Sequence, residues 1–308
     1  VTSPNGSRRW QLVVPQQGRG ERLDHFLAAA IATCSRKAIK RALDGGRLFL
    51  DGRVERRAGR LLAGGESILL TLDAPAAPLP AVMPEILFRD GDLLAVNKPP
   101  GLPVHATVAG GPNALDLVRN LLAGETTDPV LLHRLDADTS GVLLFALNAA
   151  ANRALASDFA ARRVAKRYLA LVGGAPPARF TVTNYLRPGV RGRTVAVASG
   201  GQSAHTEFKT LGQGSGFALV EASPRTGRTH QIRVHLADLG FPLLGDLLYG
   251  GPPALALGAD DLLTAPRHLL HAHRLEFIHP SEKRTLQISA PLPQDFKPFL
   301  EKLQKRPN

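Results

Sequence analysis

Leu23, Phe26, Leu27, Ala30 and Ile31 recur at spacings of three and four, an apolar stripe that predicts a short amphipathic helix over 22–32. A second helix is predicted directly after it. Ser35 can cap its start, Ala38, Ile39, Ala42 and Leu43 form its stripe, and Gly45 and Gly46 stop it. Leu48 to Leu50 and Arg53 to Val54 flank Asp51-Gly52, a signal for a tight hairpin. Later in the chain the runs at 93–96, 142–147, 169–172 and 217–222 read as strands. The periodic stretches at 152–161 and 230–239 read as helices, the last with Thr229 as N-cap and Gly240 as its stop. Strands and helices follow one another without a regular βαβ repeat, so the pattern predicts an α+β fold and not a doubly wound sheet.

Residues 74–84, APAAPLPAVMP, hold four prolines and no charge, the composition of a stiff extended linker. A boundary is predicted there, between a small module at 1–73 and a larger body at 85–308. Charge sharpens the division. The chain carries 38 Lys+Arg against 26 Asp+Glu, a formal net charge of +12, and residues 1–73 contribute 13 basic against 7 acidic residues. An excess of this size points to a polyanion or an anionic membrane surface as partner. On the second predicted helix Arg36 lies one turn from Lys40, and Lys37 one turn from Arg41, so the four cations share one side. A solvated helix face accounts for such a run equally well.

The remaining composition is exclusionary. With 44% hydrophobic and 21% charged residues the chain is an ordinary globular protein. The apolar run at 142–147 is interrupted at Asn148 and, like every other run in the chain, falls short of the ~18 residues needed to span a membrane. The single cysteine, Cys34, permits no intrachain disulfide and no cysteine-based zinc site, which fits a reducing cytosol; a cytoplasmic location is predicted. Residues 1–20 lack the continuous apolar core of a secretory signal.

Several generic sites can be set aside. There is no glycine-rich phosphate loop, and Ser203 and Ser215 lack the glycine pair of a nucleophile elbow. His230 with His235 and His271 with His273 lack a cysteine pair or a helical His-Glu-x-x-His, so no metal site is predicted. Four segments carry more. In LLHRLDADTSGVLLFA (131–146) a polar loop with His133, Arg134, Asp136 and Asp138 runs straight into an apolar strand, where a reactive carboxylate would be held rigidly. An isolated Asp in such a loop more commonly caps a turn. In SPRTGRTHQIRVHLADLGFPLLGDLLYG (223–250), Arg225, Arg228, His230, Arg233 and His235 gather around a turn and a helix start. RVAKRYLALV sets Tyr168 behind Lys166 and Arg167 at the head of an apolar strand. ILFRDGDLLAVNKPPGLPVH has a rigid Lys98-Pro99-Pro100-Gly101 turn leading to His105.

Two resemblances join these pieces. Residues 22–70, with RLDHFLAAAIATCSRKAIKRALDGGRLFLDG and LLAGGESILL, are similar to the S-four-type RNA-binding domain, a small α+β module. That likeness implies that Ser35, Arg36, Lys37, Lys40 and Arg41 contact RNA phosphates, which supplies affinity without sequence choice. Residues 86–296 resemble the Rlu family of pseudouridine synthases, through HRLDADTSG, GRTHQIRVHL with its following GD and YG, and the late LLHAHRLEFIHP. The implied fold is a central mixed, mostly antiparallel sheet flanked by helices. The implied activity is isomerisation of RNA uridines to pseudouridine, with no cofactor and no metal, large-subunit ribosomal RNA being the first expected substrate and transfer RNA the second. Asp136 takes the position of the catalytic carboxylate, acting on the ribose or assisting a proton abstraction that yields a glycal. Arg233 takes that of its salt-bridge partner, a role arginine suits because it stays charged and can bind a carboxylate through two parallel hydrogen bonds. Tyr168 takes that of the active-site tyrosine, while His133 and Arg134 belong to the substrate loop. Ala137 departs from the family, in which a basic residue often follows the signature Asp. Two other functions use the same residues: a non-catalytic RNA clamp, and a glycosidase-like hydrolase that would enlist Asp138 as second carboxylate and release free uracil.

Overall fold

A computed structural model describes residues 8–31, 39–40, 42–43, 48–72, 83–107, 111–125, 127–257 and 262–305. The chain divides into two compact units, Val1–Ala81 and Val82–Asn308. In the first, strands β1 (Arg8–Val13), β2 (Leu48–Leu50), β3 (Arg53–Val54) and β4 (Ser67–Leu72) form an antiparallel sheet in the order β1-β4-β2-β3. Asp51 and Gly52 join β2 to β3 with φ of 48° and 75°, the paired left-handed conformation that suits a two-residue hairpin. Helix α1 (Leu23–Ala30) buries Leu23 and Leu27 against Ile39, Leu43, Leu48 and Leu70. Lys40 is exposed, whereas Ser35, Arg36, Lys37 and Arg41, the other predicted phosphate contacts, lie outside the described residues, as does most of the predicted linker.

The second unit contains β5 (Glu85–Arg89), β6 (Leu93–Lys98), α2 (Ala114–Leu121), β7 (Val130–Leu131), β8 (Ser140–Ala146), α3 (Ala149–Ala160) and β9 (Ala165–Gly173). There follow β10 (Arg179–Pro188), β11 (Thr194–Val197), β12 (Gln202–Gly214), β13 (Phe217–Pro224), α4 (Gln231–Asp238), β14 (Ala254–Ala256) and β15 (Leu262–Thr264). The last elements are β16 (Leu270–Ile278), β17 (Thr285–Ser289), α5 (Lys297–Glu301) and β18 (Gln304–Lys305). Twelve strands make one sheet whose path runs β11-β10-β12-β13-β9-β16-β8-β6-β5, with β7 on β8, β17 on β16 and β18 on β12. Its pairings are antiparallel except that of β8 with β16. This is the mixed, mostly antiparallel α+β architecture predicted.

Why the sheet is double-sided follows from period two. Leu93 and Ala95 of β6 with Val142 and Leu144 of β8 pack on one face beside Leu155 of α3. Leu94 and Val96 with Leu143 and Phe145 pack on the other beside Val118 of α2. The same alternation along β9 and β13 leaves Ala170, Val172, Ala218 and Val220 under Ile232 and Leu236 of α4. Two boundaries differ from expectation. Helix α3 starts at Ala149 because Asn148 accepts the Ala151 N–H at 2.9 Å and caps it. The N-cap of α4 is His230, in a left-handed conformation with φ 55°, instead of Thr229.

Two register facts position the site. Ala272 of β16 faces Tyr168 of β9 on one side and Gly141 of β8 on the other. Gly141 has φ +112°, and a Cβ there would stand 2.2 Å from the Ala272 carbonyl oxygen, so only glycine permits the close parallel approach of β8 to β16. The loop that feeds β8 is thereby set beside the head of β9.

Candidate active site

The loop entering β8 is held residue by residue. Lys98, wholly buried at the end of β6, donates through Nζ to the carbonyls of Pro99 (2.8 Å), Leu102 (2.8 Å) and Ala137 (2.7 Å). The rigid proline turn is thus tied to the residue after Asp136. Arg267, itself paired with Asp295 at 2.7 Å, donates to the Asp138 carbonyl at 2.7 Å and to Ser140 Oγ at 3.2 Å. His268 Nε2 meets Thr139 Oγ1, and His271 Nδ1 meets Ser140 Oγ, each at 2.9 Å. Burial pushes both imidazoles down to about 4, so they are neutral partners. Burial likewise pushes Lys98 down to about 7, with the charge of Asp138 opposing the shift. Four consecutive residues, Ala137 to Ser140, are therefore fixed from outside the loop, and the orientation of Asp136 is fixed with them.

Asp136 meets Arg233 of α4. Arg233 Nη1 donates to Asp136 Oδ2 at 3.0 Å. The two parallel bonds an arginine can make go instead to Asp246, with Nε at 2.7 Å and Nη2 at 2.8 Å. Asp246 is 1% exposed and Arg233 6%, so the fork is sealed. Asp136, its side chain 21% exposed, takes the remaining N–H. One guanidinium thus serves two carboxylates, the buried one holding it still and the accessible one facing the cavity. Burial alone would lower the Arg233 pKa; the Asp246 hydrogen bonds and both carboxylate charges outweigh that and raise it. The guanidinium also lies 5.0 Å from the centroid of the Tyr249 ring. Tyr249 Oη in turn accepts the Thr194 N–H at 2.7 Å and meets His230 Nδ1 at 2.8 Å, while His230 Nε2 comes within 3.8 Å of Asp136.

These groups open on a cavity of about 320 Å³, within the range of ligand-sized pockets, lined among others by Arg134, Asp136, Lys166, Tyr168, Arg228 and Arg233. Tyr168 is partly buried on β9; burial first, and the Asp136 charge second, push its phenol up, so it stays protonated near neutrality. His133 stacks on Phe159 at 5.5 Å, and its Nε2 accepts the Leu144 N–H at 3.2 Å. That bond requires an unprotonated Nε2, in accord with burial pushing the ring down to about 3. Arg134 is exposed on the cavity wall.

The structure therefore gathers Asp136, Tyr168, Arg233, His133 and Arg134 around one cavity. It separates others from it. His235 is buried against Thr206 Oγ1 (3.0 Å) and Asn184 Oδ1 (2.9 Å), and Arg225 pairs with Glu207 at 3.0 Å. Among the described residues no three His, Cys, Asp or Glu side chains gather in metal-binding geometry. Sequence reasoning gave no role to Asp246, although it stands in the quoted GD…YG stretch. The one available signal was the glycine before it: Gly245 has φ +77°, and a Cβ there would lie 1.9 Å from the Arg267 carbonyl oxygen.

Comparison with known proteins agrees with this arrangement. The RNA pseudouridylate synthase family matches residues 92–238, which include the Asp136 loop, Tyr168 and Arg233. Over its length the chain is 36% identical to ribosomal large subunit pseudouridine synthase D of Xanthomonas campestris pv. campestris, covering 99% of this chain and 95% of that protein. It is 37% identical to an uncharacterized RNA pseudouridine synthase of Chloroflexus aurantiacus, covering 96% and 94%. Among solved structures, human RNA pseudouridylate synthase domain containing 4 superposes with a TM-score of 0.58 at 29% identity, over 72% of this chain and 94% of that one. A near full-length match and a shared fold, together with an RNA-sized excess of positive charge, leave one conclusion: the chain belongs to the RNA pseudouridine synthases, intramolecular isomerases that act on uridines of RNA.

Proposed function

We propose that Asp136 is the catalytic carboxylate and that large-subunit ribosomal RNA is the substrate. The observation that carries the first part is the single accessible carboxylate of the cavity, Asp136, hydrogen-bonded at 3.0 Å to an arginine that is itself immobilised by Asp246. Pseudouridylation breaks the bond from uracil N1 to ribose C1′ and remakes it from C5; the C5 proton leaves to solvent, N1 takes up a proton in its place, and no electrons are gained or lost. Such a step requires an ionised carboxylate near the sugar. Arg233 supplies a charge-assisted N–H to that carboxylate at 3.0 Å. Whether Asp136 bonds to C1′ or assists formation of a glycal, the same carboxylate serves. Tyr168, held as a phenol, offers its ring to the flipped uracil, and extrusion of the base, costing a few kcal/mol, is offset by stacking of ~1–3 kcal/mol and by phosphate contacts. His133 and Arg134 shape the loop side of the cavity. No cofactor or metal has a part in this chemistry.

The substrate assignment rests on the relatives from Xanthomonas campestris and Xylella fastidiosa, both named ribosomal large subunit pseudouridine synthase D, and on the basic first unit. In this reading residues 1–73 grip RNA backbone through Ser35, Arg36, Lys37, Lys40 and Arg41, residues 74–84 link, and 85–308 catalyse. A cytoplasmic location belongs to the same reading. The test has two arms. Mapping pseudouridines in total RNA of cells with and without the protein is expected to show large-subunit sites lost; loss confined to transfer RNA overturns the assignment. Asp136→Asn is expected to release no tritium from [5-³H]uridine-labelled RNA while binding it with near-normal affinity; turnover by that variant overturns the catalytic role.

A further inference from the structure

Beyond Asp136 and its arginine, the cavity holds two cations that the chemistry above does not use. Lys166 and Tyr168 are two residues apart on β9, and the burial alternates so that both turn inward while Ala165 and Arg167 face outward. Two residues of strand place Lys166 about 7 Å from Tyr168 along β9, comparable to the distance from a base to the phosphate on its own ribose. Among the described residues the Lys166 side chain makes one hydrogen bond, a long one from Nζ to the Thr226 carbonyl at 3.4 Å. Among the described residues the Arg228 guanidinium bonds two neutral groups, the Ser203 carbonyl at 3.1 Å and Gln202 Oε1 at 3.2 Å. Neither has a carboxylate partner among the described residues. Both line the cavity.

Two unpaired like charges in a partly buried place are unfavourable until an anion arrives. The strain is visible in Lys166, whose pKa is lowered first by burial and then by the charge of Arg228. Gly227, the residue before Arg228, also lines the cavity and approaches the ammonium: a Cβ there would stand in ordinary contact, 3.8 Å from Lys166 Nζ. Uracil and ribose are neutral, so the anion an RNA brings to this wall is a phosphodiester.

We infer that Lys166 and Arg228 form a phosphate subsite for the nucleotide being isomerised, with Tyr168 at its base and the two cations at its phosphate. The inference rests on the reading that the target uridine enters the Asp136 cavity. The subsite pulls the flipped nucleotide inward by its backbone, independently of base identity. It thereby distinguishes a nucleotide in a chain from free uridine.

The test uses the full-length protein and total RNA labelled with [5-³H]uridine from cells lacking it. Uridine, uridine 3′-monophosphate and uridine 5′-monophosphate are compared as inhibitors of tritium release. One monophosphate is expected to inhibit the wild type about tenfold more strongly than uridine, the scale of one charge-assisted hydrogen bond; which of the two does so identifies the phosphate. In Lys166→Gln and in Arg228→Gln that advantage is expected to disappear, and in Lys166→Arg to persist. Equal inhibition by all three compounds, inhibition by neither monophosphate, or an advantage that survives in Lys166→Gln overturns the subsite. Asp136→Asn is assayed in parallel: full turnover by it moves the reacting uridine out of this cavity, which fails the underlying reading and not merely the phosphate contact.

Discussion

Asp136 and Asp246 bond the same guanidinium yet differ in what their removal should do. Asp136 is accessible and accepts one N–H, whereas Asp246 is sealed and accepts two. In Asp136→Asn the side-chain oxygen still accepts from Arg233, so thermal stability should change little while activity is lost. Asp246→Asn removes the charge opposite a buried arginine, a change that typically costs ~3–5 kcal/mol. It should lower the melting temperature and kcat together, because an arginine freed from its fork no longer presents Nη1 to Asp136. Arg233→Lys should resemble Asp246→Asn, since an ammonium cannot make two parallel bonds and a third at a fixed angle. Calorimetry paired with tritium release on the three variants checks the pattern. An Asp246→Asn protein as active as wild type would show that Asp136 is positioned by the loop clamps alone.

At the scale of elements, the Asp136 loop is held precisely because strands β6, β8 and β16 converge on it. Lys98 ends β6, Ser140 starts β8, and Arg267, His268 and His271 surround the start of β16. Lys98→Met keeps most of the buried stem but strips the donor from three carbonyls, at ~1–3 kcal/mol for each acceptor left unsatisfied. The expected result is a less stable protein in which kcat falls more than RNA affinity does. Gly141→Ala strikes the same junction differently. The added methyl would meet the Ala272 carbonyl at 2.2 Å, in a backbone conformation that L residues rarely adopt. Separation of β8 from β16 should follow, seen as faster hydrogen exchange at the β8 amides and loss of activity.

Over the whole molecule, pH and salt are the useful probes. His235, His268 and His271 are held neutral by burial, with folded pKa values of about 4 against an ordinary 6.5, and His133 at about 3. Between those values the unfolded chain binds more protons than the folded one, so stability rises with pH there. The contribution is complete above pH 6.5 and is lost as pH falls toward 4, by up to ~1.4 kcal/mol per pH unit for each group. Melting temperatures measured from pH 8 down to pH 4.5 should fall steadily below 6.5; a flat profile would mean that these rings find protonated states within the fold. The net charge of +12 predicts RNA affinity that drops steeply with salt. The logarithmic slope should be about 0.7 for each phosphate neutralised on a single strand. A slope near zero would remove phosphate contacts from the account of either unit.

Period-two and helical patterning made most of the fold legible: the strands at 93–96, 142–147, 169–172 and 217–222 and the helix that begins after His230 all fall within or against observed elements. Backbone hydrogen bonding and apolar burial act over a few residues, so the chain order alone carries them. Motifs likewise marked Asp136, Tyr168, Arg233, His133 and Arg134, which do meet at one cavity. Strand order was not legible, because it depends on which distant segments pair. The single parallel contact of β8 with β16 depends on Gly141 and Ala272, which are 131 residues apart. Nor was the division of Arg233 between two carboxylates. A guanidinium has five N–H groups and its partners are chosen by geometry, so only the folded chain could give the fork to Asp246 and the remaining bond to Asp136. The sequence by itself determined which chemistry was available; tertiary structure decided which charges face each other, because electrostatic pairing depends on distance in space and not along the chain.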